Sequence, residues 1–275
     1  MKFLMRVFNF YINSSIHVAL AVCSLSWITL IEFDLSINFN LLIFTFFATI
    51  TGYNFVKYFG LAKFHHRSLA SWLKYIQVFS LLCFVGLIYF TLKLQIETLY
   101  TLAILGLITF LYAVPFLPKK FFLDQSKNLR AISGLKIYVI ALVWAVTTVI
   151  VPLIESNNHI ENDALITALQ RFIYVIVATL PFEIRDMRYD SLKLATIPQR
   201  IGIQKTKLIG IILALQLLVL ELFKDNLTIT NLAILGVIVF TMIVLLFQSS
   251  INQRTYYSSF WVEGVPLIWL GLSLL

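Results

Sequence analysis

The sequence predicts an all-α fold: a polytopic transmembrane helix bundle of about nine spans, with a cytoplasmic N-terminus. Three observations predict it. First, 60% of the 275 residues are hydrophobic and only 12% are charged, whereas a soluble domain is ~45–50% apolar. Second, apolar runs of about 18–20 residues, enough to cross a hydrocarbon core, recur along the whole length. Third, the basic residues fall on alternate sides of those runs. No linker or low-complexity tract marks a second unit, so residues 1–275 are expected to form one domain.

In order, the expected spans are Ser14–Ile31, Phe39–Tyr58, Leu73–Leu92, Leu99–Phe116, Leu135–Ile154, Ala164–Phe182, Leu208–Phe223, Leu232–Phe247 and Phe260–Leu275. The opening MKFLMRVFNF has no small-residue cleavage site after it. It is expected to lead into the first span. Arg171 lies inside span six and must either snorkel or face the bundle interior. Cys23 and Cys83 lie in apolar runs without metal-ligand spacing, which suits small core hydrophobes.

Of the 21 Lys and Arg, only Lys93, Lys224 and Arg171 lie elsewhere than at the N-terminus or after spans two, four, six and eight. Positive charge marks the cytoplasmic side, so the N-terminus is expected inside and the C-terminus outside. The opposite loops are short and carry Glu32, Asp34, Glu97, Glu155, Glu161, Asp163, Glu221 and Asp225. The net charge of +8 therefore follows from topology. It also suits anionic membrane lipids or a diphosphate. Nothing else supports nucleic-acid binding.

The richest polar stretch runs from Pro181 to Gly202, PFEIRDMRYDSLKLATIPQRIG. Glu183, Asp186 and Asp190 are spaced three and then four apart, which on one helix puts the carboxylates on one face. Such acids repel unless a cation is near. One answer is Mg²⁺, which takes one or two carboxylates plus substrate phosphates. The other is a solvated helix end whose acids pair with Arg185, Arg188 and Lys193. His17 is expected to be hydrogen-bonded within the bundle, and Glu263 to pair with Arg171 or Arg254.

Taken together, these segments resemble the UbiA superfamily of intramembrane prenyltransferases. The family's DxxDxxxD motif stands here as Glu183, Asp186 and Asp190, followed by Lys193, Thr196 and Gly202. EIRDMRYD resembles in particular the members that prenylate naphthoquinone precursors. Tyr112, Lys119, Lys120, Gly134, Leu135, Lys136 and Trp144 resemble the family's loop and fifth span. The family's first motif, NDxxDxxxD after span two, is kept only at Asn54. Its acidic positions fall on Phe55, Tyr58 and Ala62, while Lys57, Lys63, His65, His66 and Arg67 are close by.

The resemblance implies a bacterial inner-membrane enzyme that moves an isoprenoid from its diphosphate to a lipophilic acceptor. It implies Asp186, Asp190 and Lys193 as catalytic residues. Glu183, Asp186 and Asp190 would ligate Mg²⁺, as one ion or as part of a pair. Asn54, Lys57, Tyr112, Lys119, Lys120 and Arg185 would bind substrate. Lys57 is expected to act as a point-charge grip on phosphate where the family uses a second metal. Loss of the first motif leaves a second reading open: an inactive relative that binds a prenyl lipid or quinone, or scaffolds a membrane pathway. A small transporter fits less well, because the acids sit at one face rather than at midplane.

Overall fold

The computed structural model describes residues 2–58, 71–113, 135–188 and 196–275, and these are helical almost throughout. The helices are α1 (Lys2–Asn13), α2 (Ile16–Glu32), α3 (Phe39–Tyr58), α4 (Ser71–Thr91), α5 (Ile96–Ala113), α6 (Leu135–Ala145), α7 (Val151–Glu155), α8 (Asn162–Asp186), α9 (Ile197–Ile201), α10 (Ile203–Glu221), α11 (Ile229–Gln248) and α12 (Val265–Ser273). Among the described residues, α3, α4, α6 continued through α7, α8, α10 and α11 are each long and apolar enough to span a bilayer. The α1–α2 pair passes the same test as one span bent by 52°. The chain is an integral, multi-pass membrane protein.

Two of the expected spans are interrupted. Between α6 and α7 the backbone widens into a π-helical turn, Val146–Ile150. Pro152 has no N–H to give the Thr148 carbonyl one turn back. That carbonyl instead accepts a 2.7 Å hydrogen bond from Thr29 Oγ1 of α2. A second π turn, Tyr257–Val262, precedes α12. Ser15, which separates α1 from α2, takes the left-handed conformation at φ 65°.

Helix α8 is the centre. Tyr174, Val177, Leu180 and Ile184 join a buried cluster with residues of α6, α10, α11 and α12. The most apolar window of α8 is 56% buried and that of α4 only 17%, which places α4 on the lipid-facing rim. Close approach at the centre depends on a small residue, as membrane helix packing generally does. A Cβ on Gly210 of α10 would lie 2.4 Å from Leu246 Cδ2 and 2.7 Å from Leu180 Cδ1.

Candidate functional site

Asn54, near the end of α3, is buried and fully engaged. Its Oδ1 accepts from Ser15 Oγ at 2.8 Å, and its Nδ2 donates to Ser14 O at 3.0 Å and Ser80 Oγ at 2.8 Å. One side chain thus ties α3 to the α1–α2 break and to α4. Lys57 follows one turn later and donates to Ser15 Oγ at 3.0 Å. Tyr53 and Lys57, four apart, share a face of α3. The Tyr53 hydroxyl accepts from Trp144 Nε1 at 2.9 Å.

That face looks toward a cavity of about 160 Å³ where the end of α3, the start of α6, the end of α8 and the turn before α12 meet. Its walls are largely apolar, with rings from Tyr53, Trp144, Tyr174 and Phe182. Its charged groups are Lys136, Glu183, Asp186 and Glu263. Such a site, apolar with a few convergent polar groups, is the usual form of a ligand pocket.

Glu183 is 2% exposed, and its Oε1 accepts from Lys136 Nζ at 3.0 Å. Asp186 Oδ1 accepts from Arg185 Nε at 2.8 Å, while the Arg185 guanidinium lies 5.2 Å from the Phe182 ring centre. The carboxylates thus have basic partners from their own helix and from α6. Glu183 and Asp186 share the cavity face. Helix α8 ends at Asp186 and gives way to a turn at Met187–Arg188. The expected helical face is therefore seen for Glu183 and Asp186. Asp190, Lys193, Lys119 and Lys120 lie outside the described residues, and Tyr112 falls in the last turn of α5.

The expected partners of Glu263 and Arg171 need correction. Glu263 faces the cavity, within electrostatic reach of Lys57 and Arg185. Arg171 is buried in the bundle interior at another site, stacked 4.7 Å from the Trp269 ring centre and facing Glu32. His17 does bond within the bundle, to Tyr11 Oη at 2.7 Å and Phe260 O at 2.9 Å. Sequence reasoning also passed over Tyr53. The signal was its position one residue before Asn54 and four before Lys57.

The donor set fits one divalent ion better than two. Glu183 and Asp186 offer hard oxygens in one cavity, enough for an ion that completes its shell with phosphate and water. On α3, Asn54, Phe55 and Tyr58 supply no carboxylate. Among the described residues no three His, Cys, Asp or Glu side chains cluster as a ready-made metal site.

No family model matches the chain, and no curated protein matches it. A solved structure from work on digeranylgeranylglyceryl phosphate synthase in membranes superposes on 98% of this chain and 100% of its own, at a TM-score of 0.58 and 15% identity. The two chains share one all-helical membrane fold over their whole length. In this fold the cavity lies at the bundle end that carries Asn54 and the acids of α8.

Proposed function

We propose that this protein is an intramembrane prenyltransferase that moves an isoprenoid from its diphosphate to a lipophilic acceptor. The carrying observation is the apolar cavity bearing Lys136, Glu183, Asp186 and Glu263 in a fold shared with a prenyl-lipid synthase. The isoprenoid tail would lie among the apolar walls, and the diphosphate at the charged end. Lys136, Arg185 and Lys57 would hold it as cations, with Lys193, Lys119 and Lys120 added from outside the described residues. Asn54 would act by fixing Ser15 and, through it, Lys57.

Glu183 and Asp186, with Asp190, would hold the magnesium ion. Bound there, magnesium supplies electrostatic stabilisation of the departing diphosphate. The chain's own cations serve the same end, since charge developing on a leaving group is best met by fixed charge in a dry site. The walls keep water from the allylic cation, and the faces of Tyr53 and Trp144 offer it cation–π contact. On this reading the acceptor is a quinone precursor, the membrane is the bacterial inner membrane, and the charged end of the bundle faces the cytoplasm. Residues 1–275 act as one domain.

The absence of carboxylates at Asn54, Phe55 and Tyr58 favours the second reading, a relative that binds prenyl lipid without turnover. Calorimetric titration of geranylgeranyl diphosphate into the protein in lipid nanodiscs separates the two. Expected are Mg²⁺-dependent binding to the wild type, its loss in Asp186→Asn, and release of diphosphate on turnover. Binding indifferent to both metal and mutation would support the non-catalytic reading.

A further inference from the structure

Glu263 is the one cavity carboxylate that the family resemblance leaves without a task. Among the described residues it has no hydrogen-bond or ion-pair partner, although Lys57 and Arg185 lie within electrostatic reach. A half-buried carboxylate open to an apolar membrane cavity is costly, and such groups are functional by default.

Its placement is firm. The Glu263 N–H donates to Ser258 O at 3.1 Å across the π turn, and Gly264 N–H donates to Phe260 O at 2.9 Å. The same Phe260 carbonyl is bonded to His17 Nε2 at 2.9 Å, and the His17 ring stacks on Phe260 at 4.9 Å. A Cβ on Gly264 would come within 2.7 Å of Phe260 O and 3.3 Å of His17 Nε2. Tyr257 Oη further ties the turn to Leu245 O of α11. π turns of this kind are frequent at functional sites.

We infer that Glu263 is the acceptor-side base: it orients the acceptor and takes the proton released when the acceptor is prenylated. This rests on the prenyltransferase reading. A carboxylate outside the magnesium site assigned to Glu183 and Asp186 repels a diphosphate, so Glu263 does not suit the donor's charged end, which Lys136 and Arg185 serve. It suits an acceptor that can donate a hydrogen bond. As the allylic C–O bond of the donor breaks, its electron pair leaves with the diphosphate. The new bond forms from an electron pair of the acceptor, and the displaced acceptor proton passes to a Glu263 carboxylate oxygen. Lys57 and Arg185, within electrostatic reach, favour the charged form of that carboxylate.

The test uses the full chain in nanodiscs, with geranylgeranyl diphosphate as donor and a dihydroxynaphthalene, whose free ring carbon carries a hydrogen, as acceptor probe. Glu263→Gln should leave donor affinity unchanged or slightly tighter and reduce transfer about 10²–10⁴-fold, the range lost with a general base. Glu263→Asp should restore part of the transfer, and both variants should keep the wild-type unfolding temperature. Transfer by Glu263→Gln at the wild-type rate overturns the inference. So does a loss of donor affinity in step with transfer, which would make Glu263 a support for Lys57. A wild type that fails to bind the donor at all overturns the prenyltransferase reading itself, and is distinguished by that first titration.

Discussion

Replacing Gly210 with alanine tests the packing that holds the acids of α8 in place. The new methyl would lie 2.4 Å from Leu246 Cδ2 and 2.7 Å from Leu180 Cδ1, where carbon atoms prefer ~3.5–4.0 Å. Both leucine ends must therefore retreat by about 1 Å. Off-rotamer shifts cost ~0.5–1.5 kcal/mol each, so the pair costs about 1–3 kcal/mol, the usual range for overpacking. Gly236 of α11 is the control, since a Cβ there meets nothing within 4 Å. Alanine at 236 should stabilise by up to ~1 kcal/mol through helix propensity alone. Gly210→Ala gains the same propensity, so equilibrium unfolding in detergent, followed by tryptophan fluorescence, should separate the variants by the overpacking cost alone, about 1–3 kcal/mol. Because Leu180 is three residues from Glu183, Gly210→Ala should also weaken donor binding, and Gly236→Ala should not. Equal stability of the two variants would refute the close packing of α10 on α8.

Asn54→Ala removes three buried hydrogen bonds and should cost about 2–4 kcal/mol in the same assay; it should also weaken the donor grip assigned to Lys57. Lys57→Ala should leave stability within about 1 kcal/mol and lower donor affinity, and an unchanged titration would remove Lys57 from the site. Lys224→Met leaves Glu221, 3% exposed, with Gln170 Nε2 at 2.8 Å as its side-chain partner, and should destabilise by about 3–5 kcal/mol. Trp144→Phe loses the bond to Tyr53 Oη and should cost about 1 kcal/mol, read as a shift in unfolding temperature.

How legible these features were in the sequence depended on the kind of signal. Span two was expected at Phe39–Tyr58, the bounds of α3, because charge and turn-forming residues flank a continuous apolar run. The π turns were not legible. Pro152 signals a disturbed ladder, but Thr29, which satisfies the freed carbonyl, is 119 residues away in sequence. Charge partners failed for the same reason. Glu263 and Arg171 are both intramembrane ions, and nothing in their spacing tells that one meets the cavity and the other Trp269. The local motif around Glu183 was readable because its residues are neighbours in sequence. The end of α8 at Asp186 was not, because the polar sequence around it carries no apolar periodicity to mark a boundary.

The stacking of Arg171 on Trp269 also bears on how the chain assembles. Helix α8 carries a fully buried guanidinium, and its aromatic platform comes from α12, which is synthesised well after it. Until then α8 presents an ion without that cover, which lipid tolerates poorly. The helix is therefore expected to stay sheltered at the insertion machinery, or to lean on α2 and Glu32, until residue 269 has emerged. Chains stopped ahead of α12 should be recognised as unfinished and degraded, so this helix would serve as a checkpoint in biogenesis.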